Sequence, residues 1–222
     1  MNDFLSSSLG KKIVMAATGL FLCLFLIEHL YGNLLLYFND GGAAFVEYSH
    51  DAVHSILIRS VEVILFVAIV LHVVQAVYLT KQNSDARPIK YASLKVNETS
   101  NWFSRNMGIT GSVIFFFIVV HLWHFFVPYR ITGTVGDAGQ MNVAQAVSEG
   151  LQNPYYALLY FISVCFLSFH LNHGFQSAFQ TLGLNNKKYM QILKIAGTGF
   201  AVLIFIGFAS FPVLFYFKIV SV

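Results

Sequence analysis

The sequence predicts an all-α integral membrane protein built as a bundle of five transmembrane helices. Three observations carry this prediction. The 222 residues are 57% hydrophobic and only 10% charged, whereas a soluble domain carries about 25% charged residues. Five apolar stretches are each long enough to cross roughly 30 Å of hydrocarbon at about 1.5 Å per residue. Four of those stretches contain a histidine, His29, His72, His121 and His170, at depths where an ionisable side chain is costly and rare.

The spans follow in order. The first, 13–38, comes after Lys11-Lys12. It is longer than a signal-peptide core of roughly 7–15 residues and lacks a clear A-x-A exit, so it is expected to be retained. Asp40-Gly41-Gly42 marks a loop before the second span, 57–80. A polar stretch, 81–106, leads to the third span, 107–128. A Gly-rich loop, 130–153, precedes the fourth, 155–181, and a short turn at 183–188 precedes the fifth, 193–218. Pro212 is expected to kink that last helix. The chain reads as one domain, 1–222, without an internal repeat.

Lys and Arg set the expected direction. Ten of the 13 (Lys11, Lys12, Lys81, Arg87, Lys90, Lys95, Arg105, Lys187, Lys188 and Lys194) fall on one side, against Arg59, Arg130 and Lys218 on the other. The N-terminus is therefore expected in the cytoplasm and the C-terminus outside. Asn97-Glu98-Thr99 matches a glycosylation triplet but falls on the cytoplasmic side.

Depth sorts the four histidines. His29 and His121 lie about 14 Å and 11 Å from the outer ends of helices that run outward. His72 and His170 lie about 12 Å and 17 Å from the inner ends of helices that run inward. Two levels with two imidazoles each suit the axial ligands of two stacked b-type haems held in a bundle core. Burial favours the neutral imidazole, the form that binds iron. His173 matches the depth of His72 slightly better than His170 does, so depth alone leaves that choice open. His124 is shallow and suits an interfacial or propionate contact. His50 and His54, four apart, lack an apparent third ligand.

Glycines near these positions (Gly19, Gly32, Gly108, Gly111 and Gly174) suit either close approach of a flat ring or helix packing. Cys23 and Cys165 lie within spans. With no C-x-x-C-H motif, covalent haem attachment is excluded, and two cysteines are too few for an iron–sulfur cluster.

Specific segments carry a family resemblance. They are Thr18-Gly19-Leu20 with His29-Leu30-Tyr31-Gly32-Asn33, then Leu71-His72, then Ile109-Thr110-Gly111 with Val120-His121-Leu122-Trp123, and last Phe169-His170 with Asn172-His173-Gly174. In this order and spacing the chain resembles the dihaem cytochrome b membrane anchor of succinate dehydrogenase and quinol:fumarate reductase, of the five-helix, single-polypeptide type. The resemblance implies His29 with His121 as ligands of the outer haem iron, and His72 with His170 as ligands of the inner one. It also implies a flavoprotein (FAD) subunit and an iron–sulfur subunit on the cytoplasmic face of a bacterial inner membrane, with menaquinone or ubiquinone as membrane substrate. The basic segment 81–105 is the expected docking surface, and Lys12 and Arg105 are candidate propionate partners.

Quinone-site candidates are Glu47, Asp51 and Glu62, with His50 and Arg59 nearby. Glu62, a carboxylate at a costly depth, is either such a quinone-site group or the partner of Arg59, three residues earlier on the same helix. Glu28, beside His29, is a candidate proton group or partner of a haem ligand. Two other readings compete. One is a cytochrome b serving another dehydrogenase or hydrogenase, which only its partner would distinguish. The other is a haem-free transporter or proton channel, against which stand two histidine levels and the lack of strongly broken spans.

Overall fold

The computed structural model describes residues 7–85, 106–136, 141–184 and 186–222. Among these the chain is helical, and five helices are long and apolar enough to span a membrane, over Ser8–Tyr37, Ile56–Gln82, Met107–Ile131, Pro154–Thr181 and Lys188–Tyr216. The elements are α1 (Ser8–Leu34, then a 3-10 turn to Tyr37), α2 (Ala43–His54), α3 (Ile56–Asp85), α4 (Met107–His121), α5 (Val143–Gln152), α6 (Pro154–Thr181) and α7 (Lys187–Tyr216).

The helix starts follow local chemistry. Ser7 caps α1 by accepting from the Gly10 N–H at 3.0 Å. Asn153 caps α6, with Pro154 at the first helical position where its missing N–H costs nothing. Asn186 caps α7, which runs through Pro212 to Tyr216. The spanning helices alternate in direction. In the packing, α1 touches α3 and α6, and α4 touches the same two, so α1 and α4 face each other across a diagonal, as do α3 and α6. α7 packs outside the square, against α6 and α1. Leu30 of α1 fills the space left by Gly207 of α7, where a Cβ would lie 2.7 Å from Leu30 Cδ2. Ile204 and Phe215 are fully buried at the same seam, while Leu57 and Trp123 are more than two-thirds exposed. Such an apolar exterior suits lipid.

Two helices occupy segments expected to be loops. α2 begins directly after Gly42, because Asp40 accepts from the N–H groups of Gly42 and Ala44, both at 2.9 Å, and Gly42 adopts φ 81°. α5 begins with a capping box, in which Asn142 accepts from the Gln145 N–H at 2.9 Å and Gln145 accepts from the Asn142 N–H at 3.3 Å. Both helices lie at the same end of the bundle and touch one another.

The third span also runs further than expected. At His121 α4 passes directly into a wider π-helix, Leu122–Ile131, with Pro128 inside it. Pro128 has no N–H to donate. Beyond it the Thr132 N–H reaches back five residues to Val127 O at 3.0 Å, so the wide register ends in a well-made bond.

Candidate functional site

Four imidazoles face one another in pairs across the two diagonals. The rings of His29 on α1 and His121 on α4 have centroids 5.7 Å apart. Those of His72 on α3 and His170 on α6 are 6.3 Å apart. The first pair lies towards the end carrying α2 and α5, and the second towards the N-terminal end of α1. His173 makes no ring contact with His72 among the described residues; His170 is the ring that faces it.

Hydroxyl groups fix the ring nitrogens of three of these histidines. Thr18 Oγ1 lies 3.2 Å from His72 Nδ1 and donates to the carbonyls of Val14 (2.8 Å) and Met15 (3.1 Å). With its own hydrogen directed backward, the hydroxyl accepts from Nδ1–H. Thr110 Oγ1 repeats the arrangement, lying 3.3 Å from His170 Nδ1 and donating to Met107 O at 3.1 Å. Each histidine therefore carries its proton on Nδ1 and leaves the Nε2 lone pair unprotonated. His121 Nδ1 lies 3.2 Å from Tyr160 OH, which is also 3.4 Å from His124 Nδ1. If His121 donates to the phenol and the phenol donates to His124, both contacts are satisfied and His121 Nε2 is again unprotonated.

The small residues are placed to match. A Cβ on Gly19 would stand 3.3 Å from His72 Cε1, and one on Gly111 would stand 3.6 Å from His170 Cε1. Gly32 lies instead under Tyr48, Gly174 near Met107, and Gly108 faces open space. Thr-Gly thus serves a histidine on the next spanning helix in both halves of the bundle. The sequence carries the same signal twice, since Thr18-Gly19 precedes His29-Leu30 by eleven residues and Thr110-Gly111 precedes His121-Leu122 by eleven. The expectation of no internal repeat is corrected accordingly. The repeat escapes notice because it is a spacing, with little identity between its ends.

Aromatic rings wall the pair nearer α2. Phe25 stacks on His29 at 5.2 Å and Phe208 lies at 5.6 Å, while Phe117 lies 5.6 Å from His121. His124 is clamped between Phe125 (4.3 Å) and Tyr156 (4.0 Å), in a space that a Cβ on Gly150 would fill.

The acidic candidates do not gather in one place. Glu47 and Asp51 are exposed on α2, with Asp51 3.5 Å from His50 Nδ1. Glu62 pairs with Arg130 at 2.9 Å and not with Arg59, which corrects the helical-pair alternative. The π-helical extension carries Arg130 to that carboxylate, while Arg59 is exposed. Glu28 accepts a hydrogen bond from the Tyr48 hydroxyl. Burial, and then the Glu28 carboxylate, push the Tyr48 phenol above its usual value, so it stays protonated. Lys12 is exposed. Arg105 and nearly all of the basic segment 81–105 lie outside the described residues.

A bis-histidine iron fits the donor set. Two metal–nitrogen bonds of about 2 Å plus two half-rings place imidazole centroids roughly 6 Å apart, close to both separations found here. Metal-bound histidines also characteristically donate their other N–H to an oxygen acceptor, and three of these four have a hydroxyl oxygen within 3.3 Å of Nδ1 to receive it.

The family model described as succinate dehydrogenase/fumarate reductase transmembrane subunit matches residues 83–209, more than half of the chain. His121 and His170 lie within the matched segment, and His29 and His72 precede it. No curated protein and no solved structure matches the chain.

Proposed function

Because the chain belongs to the succinate dehydrogenase/fumarate reductase transmembrane subunit family, we propose that it is the dihaem anchor of such a complex. His29 and His121 hold one b-type haem, and His72 and His170 hold a second. The observation that carries this reading is the diagonal pairing of four imidazoles at two levels. When bound, each haem supplies a one-electron carrier at its level.

The chain's own residues do the rest. Thr18, Thr110 and Tyr160 orient three of the ligating rings and hold their Nδ1 protons. Phe25, Phe117 and Phe208 exclude water around His29 and His121. Gly19 and Gly111 keep their helices close to the rings they face. The partners are a flavoprotein (FAD) subunit and an iron–sulfur subunit. They dock at the end of the bundle carrying the N-terminus of α1, on the cytoplasmic side of a bacterial inner membrane. A membrane quinone, menaquinone or ubiquinone, exchanges electrons at the opposite end. The 2.9 Å Glu62–Arg130 pair removes Glu62 from the free carboxylates there and leaves Glu47 and Asp51 as exposed groups on α2.

Reduced-minus-oxidised spectra of His29→Ala and His170→Ala test the reading. Each variant is expected to lose a different one of two haems. Loss of the same haem in both would contradict the pairing.

A further inference from the structure

Glu28 and Tyr48 form a polar pair that neither histidine level uses. Glu28 lies nine residues before Tyr37, the end of the first span, and so about 13 Å inside it. A carboxylate at that depth is costly and marks a functional position unless a cation neutralises it. No ion pair reaches Glu28 among the described residues, and its one hydrogen-bond partner is the Tyr48 hydroxyl.

The contact is assembled from two elements. Asp40 and Gly42 start α2 so that Tyr48 lies back across α1. Gly32 makes room for the ring, since a Cβ there would come within 2.6 Å of Tyr48 Cε1. Tyr31 packs edge-on against the same ring at 6.1 Å. Around the pair, Leu24, Ile27 and Tyr31 are all more than half exposed, so the carboxylate opens to the lipid face. Its backbone neighbour is His29, whose ring points the other way, toward His121.

We infer that Glu28 and Tyr48 bind the hydroquinone form of the membrane quinone in preference to the oxidised form. This rests on the quinone reading above. The argument is one of donors and acceptors. Tyr48 spends its one hydrogen on Glu28 Oε1. What remains is the second carboxylate oxygen and the lone pairs of the phenol oxygen, all acceptors. A hydroquinone brings two O–H donors to them. A quinone brings only carbonyl acceptors and would place oxygen against oxygen. The apolar body of either form sits equally well among Leu24, Ile27 and Tyr31, so the polar pair makes the distinction.

The test is anaerobic equilibrium dialysis of menadiol and of menadione against the intact complex in lipid nanodiscs, with haem content measured on the same samples. The wild type is expected to bind menadiol at least about tenfold more tightly than menadione, the size of one hydrogen bond to a charged acceptor. Glu28→Gln adds an amide donor and is expected to bring the two affinities within about threefold, with two haems retained as the control for folding. Tyr48→Phe is expected to weaken menadiol and leave menadione unchanged. Equal wild-type affinities, or a menadiol preference that survives Glu28→Gln, would overturn the inference while two haems leave the anchor reading standing. A wild type without haem would overturn that reading itself.

Discussion

Thr18 accepts the Nδ1 proton of His72 across 3.2 Å, from one spanning helix to the next. Thr110 does the same for His170 at 3.3 Å. The level built from His72 and His170 therefore has a hydroxyl behind both rings. Among the described residues the other level has one only behind His121, supplied by Tyr160.

Removing either threonine hydroxyl should disturb one level and spare the other. Thr18→Val and Thr110→Val are each expected to weaken haem retention at the His72–His170 level by about 10- to 100-fold, the usual effect of losing a metal ligand's hydrogen-bond partner. Thr→Ser at either position should restore it. Haem content and redox titration of the two levels provide the measurement, and unchanged values in both Val variants would contradict the role assigned to the hydroxyls.

The two Thr-Gly glycines should differ. Gly→Ala in a helix gains up to about 1 kcal/mol of propensity. At Gly111 the new Cβ would meet His170 at 3.6 Å, ordinary contact, so Gly111→Ala should be neutral or stabilising. At Gly19 it would meet His72 at 3.3 Å, which forces the ring to shift. Gly19→Ala should therefore lower haem content at that level, and the comparison of thermal unfolding and haem content in the two variants checks the order.

Much of this arrangement was legible in the sequence. Uninterrupted apolar stretches exposed the five spans, and the placement of His29, His72, His121 and His170 within them set the two levels. The partners of the rings were not legible, because Thr18, Thr110 and Tyr160 are unremarkable in a membrane helix until the neighbouring helix is in place. α2 was hidden behind Asp40-Gly41-Gly42, which reads as a turn but also serves as a helix start. α5 reads as loop in the sequence, because the Gly-rich composition of 130–153 outweighs the Asn142–Gln145 capping pair within it. Arg130 looked like a loop residue because Pro128 suggests a helix end. The π-helix tolerates that proline and delivers the guanidinium to Glu62.

The Arg130–Glu62 pair makes a stability prediction. Its side chains are only 10% and 27% exposed, so removing one partner strands a partly buried charge. Glu62→Ala is expected to cost about 3 kcal/mol. Replacing both residues with Met should recover most of that loss. Thermal unfolding in detergent across the double-mutant cycle measures it, and a cycle with no coupling would contradict the pair's contribution.

Tyr48 makes a prediction about pH. Its phenol is raised above the ordinary value of about 10 by burial and by Glu28. A raised phenol favours the folded state while protonated, so its contribution is complete below pH ~10 and is lost as pH rises beyond it toward the higher folded value. The melting temperature of the wild type relative to Tyr48→Phe should be constant from pH 6 to about 9 and fall above about 10. A difference that grows with rising pH would reverse the sign and contradict the contact.

The haem-to-protein ratio of the purified chain, taken from a pyridine haemochrome spectrum against quantitative amino-acid analysis, tests the central claim most directly. The paired imidazoles predict two haems per polypeptide. A ratio of one, or none, would contradict the account.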